Sequence, residues 1–326
     1  MLLTDVRGTN RVNETAIGEL QSIINLPFIR GTWYYVDPQS GDNNSNGKTQ
    51  ATAVADIQTA YGKCTTGAGD GIILLSSGTT TANTTSYLTE ALDWTKNAIT
   101  VYGVAAPTRM FGRARIANDG TDGLDLAYLI DVQGDNNTFI NVEMWNSGTD
   151  AAAIGCLKVS GNRNAFINCH ATGGIAAGAG ATHRNLELNA CEEVTFYGCT
   201  FGTDTLDRGN NASGDVLITG AVYRCRFYGC EFLSYVSTGT AHGGIKTAST
   251  SLGRDIVFRD CDFICFDTQQ ASVLVGTAPT AGFIYITGTS AACNYAAWDS
   301  NGSNNVMYIG VPTYAASGGG GIPTTI

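Results

Sequence analysis

Lysine is scarce: the chain has five, beside 13 scattered arginines, in 326 residues with a formal net charge of −10. Sequence-independent nucleic-acid binding needs clustered cations that neutralise phosphates, so this balance excludes it. No stretch approaches the roughly 18 consecutive apolar residues of a membrane span. The opening Met1 to Asn10 turns polar too early for a secretory signal. The expectation is a chain that engages neither nucleic acid nor membrane. Strong helix formers are also sparse, and the sequence holds no GxSxG elbow, no P-loop and no Asp-Asp pair.

In their place stand 41 glycines with abundant Thr, Asn, Ser and Ala, and a hydrophobic fraction of 43%. That mixture suits many short strands joined by tight turns around a continuous core. One motif recurs five times, at Phe139-Ile-Asn141-Val142, Phe166-Ile-Asn168-Cys169, Phe196-Tyr-Gly198-Cys199, Phe227-Tyr-Gly229-Cys230 and Phe258-Arg-Asp260-Cys261. The Phe-to-Phe steps are 27, 30, 31 and 31 residues, and a degenerate copy follows at Tyr285-Ile-Thr287-Gly288. Upstream, an aliphatic series (Ile130/Val132, Leu157/Val159, Leu186/Leu188, Val216/Ile218, Ile245/Thr247 and Val273/Val275) keeps the same drifting period.

Phe and Cys lie three apart, so on one straight strand they would face opposite sides. The intervening Asn141, Asn168, Gly198, Gly229 and Asp260 are residue types that enter the left-handed backbone region at least cost. One such residue turns a corner and lets both neighbours point inward. Stacked coils then place Phe over Phe and Cys over Cys, with Phe201, Phe232 and Phe263 on the same inner face. The pattern predicts an all-β fold, a right-handed single-stranded parallel β-helix. Roughly nine coils from Ile72 to Ile309 give a body about 40 Å long.

Val54, Ile57, Tyr61 and Cys64 fall at helical spacing and predict a capping helix near residues 53–64. Three parts follow: an N-terminal segment 1–31, a β-helix over 32–312 and a Gly-rich tail over 313–326. In the first, Asn13 can cap a helix bearing Ile17, Leu20, Ile23 and Ile24, which either packs on the end of the solenoid or docks to another subunit or a capsid. The ten cysteines fall at core positions of consecutive coils, so they read as reduced packing residues, in keeping with folding in a reducing cytosol.

Candidate chemistry is thin. Asp204 and Asp207, beside Arg208, form the best carboxylate pair for glycoside hydrolysis, although both lie in one loop. Asp260 with Asp262 is weaker, because Asp260 belongs to a corner. His170, His183 and His242 show no metal-ligand spacing and read as loop or surface residues. Asp42, Asn44 and Asn46, followed by Gly47, match the first half of a calcium loop, but position twelve is Ala53 where that loop requires Glu. Calcium is the one cofactor the sequence raises.

Trp33-Tyr-Tyr-Val-Asp37-Pro38, Gly41-Asp42, Asn46-Gly47, Ala106-Pro-Thr-Arg109, Arg113-Ala-Arg115-Ile116, Gly202-Thr-Asp204 through Asp207-Arg208-Gly209, and Trp298-Asp299 occur in an order that resembles tailed-bacteriophage proteins with right-handed β-helix repeats. This resemblance spans roughly residues 33–312. It implies a structural, non-catalytic virion protein, such as a capsid decoration, head fibre or spike. It further implies a homotrimer assembled in the bacterial host cytoplasm and displayed on the virion surface. The alternatives on the same fold are a polysaccharide lyase or hydrolase and a glycan- or receptor-binding module. The polygalacturonase-like set of an Asp-Asp pair, GHG and RIK finds only the echo His242-Gly-Gly-Ile-Lys246.

Overall fold

A computed structural model describes residues 29–76, 85–105, 107, 112–118, 124–173, 182–248, 251–300 and 304–311. The segment bearing Ile17, Leu20, Ile23 and Ile24 and the tail over 313–326 lie outside these residues. Among the described residues the strands form three parallel sheets, of ten strands (sheet A), eight (sheet B) and seven (sheet C). From Thr85–Leu88 to Ala281–Thr287 the chain visits sheets B, C and A in that order, seven times over. Strands Trp33–Val36 and Gly71–Leu74 add two rungs to sheet A at one end, and Ala291–Cys293 and Val306–Ile309 add to sheets B and A at the other. The expected nine coils are therefore seven complete turns. Nine rungs exist in sheet A from Gly71–Leu74 onward, but the terminal ones lack a partner strand in sheet C.

The motif of Phe and Cys is the corner from sheet A to sheet B. Asn141, Asn168, Gly198, Gly229, Asp260 and Gly288 have φ of +56°, +47°, +56°, +57°, +55° and +74°. Phe139, Phe166, Phe196, Phe227 and Phe258 are Cα partners on successive strands of sheet A. Their rings stack face to face at 5.0, 4.9, 4.6 and 4.4 Å between centroids. Phe201, Phe232 and Phe263 form a second stack in sheet B that meets the first edge-on. Cys169, Cys199, Cys230 and Cys261 are buried just past the corner. Each of these phenyl rings is 0–1% exposed, which stabilises the fold by about 1.5–3 kcal/mol per side chain.

A second corner, from sheet C into sheet A, also uses left-handed residues: Ala98, Asn136, Arg163, Glu193 and Arg224, with φ between +51° and +58°. Beside it the buried Asn137 Oδ1 accepts from the Ile99 amide at 3.0 Å, and Asn164 Oδ1 from the Asn137 amide at 2.8 Å.

The N-terminal end is covered by helix α1, Ile57–Lys63. Asp56 caps it, accepting from the Thr59 amide at 2.6 Å. Val54, placed at helical spacing in the sequence, instead bridges to Val36. Tyr61 of α1 lies 4.3 Å from the Trp94 ring, which lies 5.0 Å from Phe139, so the cap continues the aromatic column.

Candidate functional site

The residue after each of Ala114, Val142, Cys169, Cys199, Cys230 and Cys261 begins a strand of sheet B and points away from the inner face that carries Phe201, Phe232 and Phe263. Through the register these residues form one file: Arg115, Glu143, His170, Thr200, Glu231 and Asp262. Successive members sit one rung apart, at about 4.8 Å. The file gathers polar groups that are 27 to 31 residues apart in sequence, too far apart to form a local motif. Its signal is the repeat itself, one place beyond the recurring motif.

At its N-terminal end the file is locked. Glu143 is fully buried and held by Arg113 at 3.0 Å and by Arg115 through Nε at 2.7 Å and Nη2 at 3.1 Å. Arg115 lies over the Trp145 ring at 5.1 Å. With both oxygens engaged by the two guanidiniums, this carboxylate fastens the strand to its neighbour. His170 Nε2 donates to the Gly202 carbonyl at 2.7 Å, and burial lowers its pKa, which keeps the ring neutral. Towards the C-terminal end the file changes character. Thr200 Oγ1 donates to Glu231 at 3.4 Å, and Asp262 lies on the next rung, its carboxyl pushed up by burial and by Glu231.

A second polar group occupies the corner between sheets B and C. Arg208 reaches in from the loop 203–213 and is 2% exposed. It donates to the Gly173 carbonyl at 3.0 Å, to Asn185 Oδ1, and to Asp215 at 3.4 Å. Asp215, fully buried, also accepts from Asn185 Nδ2 at 2.8 Å and from Ser234 Oγ at 2.7 Å. Ser234 Oγ lies 2.7 Å from His242 Nε2, and His242 Nδ1 lies 3.4 Å from Asn211 Oδ1. Asp, Ser and His thus meet, but in the wrong order for nucleophilic catalysis. The carboxylate binds the hydroxyl, where a triad requires it to orient the far nitrogen of the imidazole. Ser234 and His242 are also fully buried, so no substrate reaches them. The group fastens a loop.

The expectation that the three histidines are loop or surface residues holds in part: His183 and His242 lie in loops and His170 opens a strand, but all are buried, at 1%, 0% and 7% exposed. Burial lowers the pKa of His170 and of His183, and His242 is hydrogen-bonded to Ser234 and Asn211.

Asp204 is exposed, whereas Asp207 turns its carboxylate onto the amides of Gly209 at 2.8 Å and Ser237 at 3.0 Å. Burial raises the Asp207 carboxyl, but these hydrogen bonds outweigh it and hold the group below its ordinary range. The two aspartates do not face each other across a groove. Asp42 Oδ1 accepts from the backbone and side-chain nitrogens of Asn44 at 2.9 and 3.0 Å, and Asn46 Oδ1 accepts from the Lys48 amide and Thr52 hydroxyl, both at 2.9 Å. These oxygens are spent on their own turn. Among the described residues, no three His, Cys, Asp or Glu side chains are placed to hold a metal ion, and no helix is long and apolar enough to cross a membrane. All ten cysteines are free and all but Cys293 are buried. Burial pushes the thiols of Cys64, Cys156 and Cys265 up to about 12, which removes the reactive thiolate.

No family model matches the chain, and no curated protein sequence matches it. Among solved structures it is similar to a rhamnogalacturonan lyase at 13% identity, covering 78% of this chain and 67% of that one, with a TM-score of 0.47. It is similar to the pectin methylesterase from Aspergillus niger at 13% identity, covering 88% and 90%, TM-score 0.44. It is also similar to ORF18 of Geobacillus virus E2 at 13% identity, covering 88% and 64%, TM-score 0.37. Likeness at this level concerns the fold and leaves function to the residues.

Proposed function

We propose that this chain is a structural, non-catalytic protein of a tailed-phage virion surface: a capsid decoration, head fibre or spike. The observation that carries the non-catalytic half is the fate of the buried ionisable groups. Glu143 is neutralised between two arginines, and Asp215 is consumed by Arg208, Asn185 and Ser234. Both serve to fix strands and loops. The phage half rests on the ordered motifs from Trp33 to Asp299, with inert buried thiols as a trait suited to assembly in the host cytoplasm. In this reading residues 1–31 attach a homotrimer to the capsid or to a neighbouring virion protein. Deleting residues 1–30 should leave a folded protein that is missing from purified particles. Retained incorporation would overturn the attachment role, and light scattering of the intact chain tests the trimer.

A second reading, a polysaccharide-acting protein, is favoured by Glu231 and Asp262. Two outward carboxyls one rung apart, one of them raised, are the elements of an acid and base pair. Host capsule incubated with the protein should release no reducing ends or unsaturated products. Release that is lost in Glu231→Gln and Asp262→Asn would establish this second reading in place of the first.

A further inference from the structure

The outer faces of the three sheets differ in how they use charge. On sheet C, Lys158 pairs with Asp131 at 3.0 Å, and Arg184 pairs with Glu187. On sheet B, Arg113 and Arg115 close on Glu143. Sheet A pairs Arg226 with Asp255 and beside them carries a file of Ile140, which is buried, then Ile167, Tyr197, Tyr228, Arg259, Thr287 and Ile309 on consecutive rungs. The Tyr197 and Tyr228 rings stack at 5.1 Å, 18° from parallel, and Tyr197 is 41% exposed. Immediately past this stack lies a cavity of about 480 Å³ lined by Arg226, Tyr228, Val257, Arg259, Thr287 and Ile309, with Gly288 at its edge. It is a shallow depression open to solvent, suited to an extended ligand lying on the sheet and not to an enclosed one.

The lining holds two guanidiniums and no carboxylate, in a chain whose net charge is −10. Arg226 is fixed from behind, donating to Asp255 Oδ2 at 2.6 Å and to the Cys225 carbonyl at 3.0 Å. Arg259 touches Asp260 through Nε at 3.4 Å while its side chain stays 61% exposed. Asp260 in turn is committed to the amide and hydroxyl of Thr289 at 2.7 and 3.0 Å. One cation is therefore pre-set and the other is available, and a planar guanidinium fork suits a carboxylate.

The geometry points to a binding site for a carboxylated oligosaccharide lying along the helix axis on sheet A. Tyrosine presents an apolar face to a sugar ring and a polar tip to water. The rung spacing of about 4.8 Å sets Tyr228, Arg259 and Thr287 at successive steps along the axis, so an extended chain of sugars meets them one after another. Tyr197 covers one face of the Tyr228 ring, and Tyr228, which lines the depression, takes a sugar ring; Arg259 and Arg226 take a carboxylate, and Thr287 lies within the lining beside them. Nucleic acid is disfavoured, because two arginines do not offset the repulsion between phosphates and the acidic remainder of the chain. This inference stands apart from the virion reading, since it requires neither a particle nor catalysis.

The test is calorimetric titration of the full chain with three ligands: a β-1,4-mannuronate hexamer, neutral cellohexaose and hexaglutamate. The mannuronate hexamer should bind, weaken as salt is raised, and exceed both others at least tenfold. Arg259→Gln and Tyr228→Ala should each reduce that affinity at least tenfold with an unchanged melting temperature, because both side chains reach solvent. Tyr102→Ala, three rungs from Tyr197 on the same file, should leave it unchanged. No binding of the mannuronate hexamer, equal binding by Arg259→Gln, or hexaglutamate binding as tightly would each overturn the proposal.

Discussion

Gly229 has φ +57°, and a Cβ built there would meet nothing within 4 Å. Substitution at this corner therefore reports the cost of the left-handed backbone without a steric contribution. Gly229→Ala should lose about 1 kcal/mol, the usual cost of that conformation for an L-residue. Gly229→Asn should lose less, and Gly229→Val more, because the β-branch crowds the turn. Urea midpoints with a constant denaturant slope measure the series; an unaffected valine variant would mean that the corner imposes no left-handed requirement. The same physics explains which corner the sequence disclosed. Asn, Gly and Asp advertise a left-handed position, so the turn from sheet A to sheet B is readable from residue type. The turn from C to A has Asn136 in one coil but is otherwise held at Ala98, Arg163, Glu193 and Arg224, residues with no such preference. Their conformation is imposed by the surroundings: Arg163 Nε meets Glu193 at 2.7 Å and Arg224 meets it at 2.9 Å, one coil to the next. Pairs formed a full coil apart leave no local trace.

At the scale of elements, α1 is seven residues long and could not persist alone in water. Its C-terminal end is closed by Lys96, whose Nζ donates to the carbonyls of Tyr61 at 2.6 Å, Gly62 at 3.1 Å and Cys64 at 2.7 Å, and lies over the Tyr61 ring at 4.7 Å. These are the carbonyls that a helix end leaves unsatisfied, and a cation there also complements the helix dipole. Lys96→Met keeps the aliphatic stem and removes the donors. It should cost about 1–2 kcal/mol and raise amide exchange in α1, Trp33–Val36 and Gly71–Leu74, while strands beyond Phe166 keep their protection. Uniform loss of protection along the chain would instead mean that the cap and body melt as one unit. The outward file on sheet B belongs to this scale too. Strand alternation made its existence deducible from the motif. What each member does was not deducible, because Arg113, Arg115 and Glu143 pair across rungs, and Arg208 arrives from a loop whose path the repeat does not specify.

Over the whole molecule, stacking ties one turn to the next: the loop 203–213 is bound through Arg208 to Gly173 and Asn185 and through Asp207 to Ser237, and imidazoles are buried beside it. His183 is 1% exposed. Burial pushes its pKa down to about 4, with Arg208 and Arg184 adding to the effect and Asp150 opposing it; burial also lowers that of His170. An unfolded histidine titrates near 6.5. The unfolded chain therefore binds more protons than the folded one between about pH 6.5 and 4, and stability falls as pH falls through that window. The carboxylates lowered in the fold, such as Asp207, contribute stability that is present above about pH 4 and lost below it. The loss between pH 6.5 and 4.5 thus belongs to the histidines. His183 alone should remove on the order of 1–2 kcal/mol by pH 5. Urea midpoints measured from pH 7 to 5 should decline for the native chain and decline less for His183→Gln, which carries no titrating proton. Equal slopes in the two proteins would show that His183 is not held neutral, and would place the origin of any acid sensitivity elsewhere in the stack.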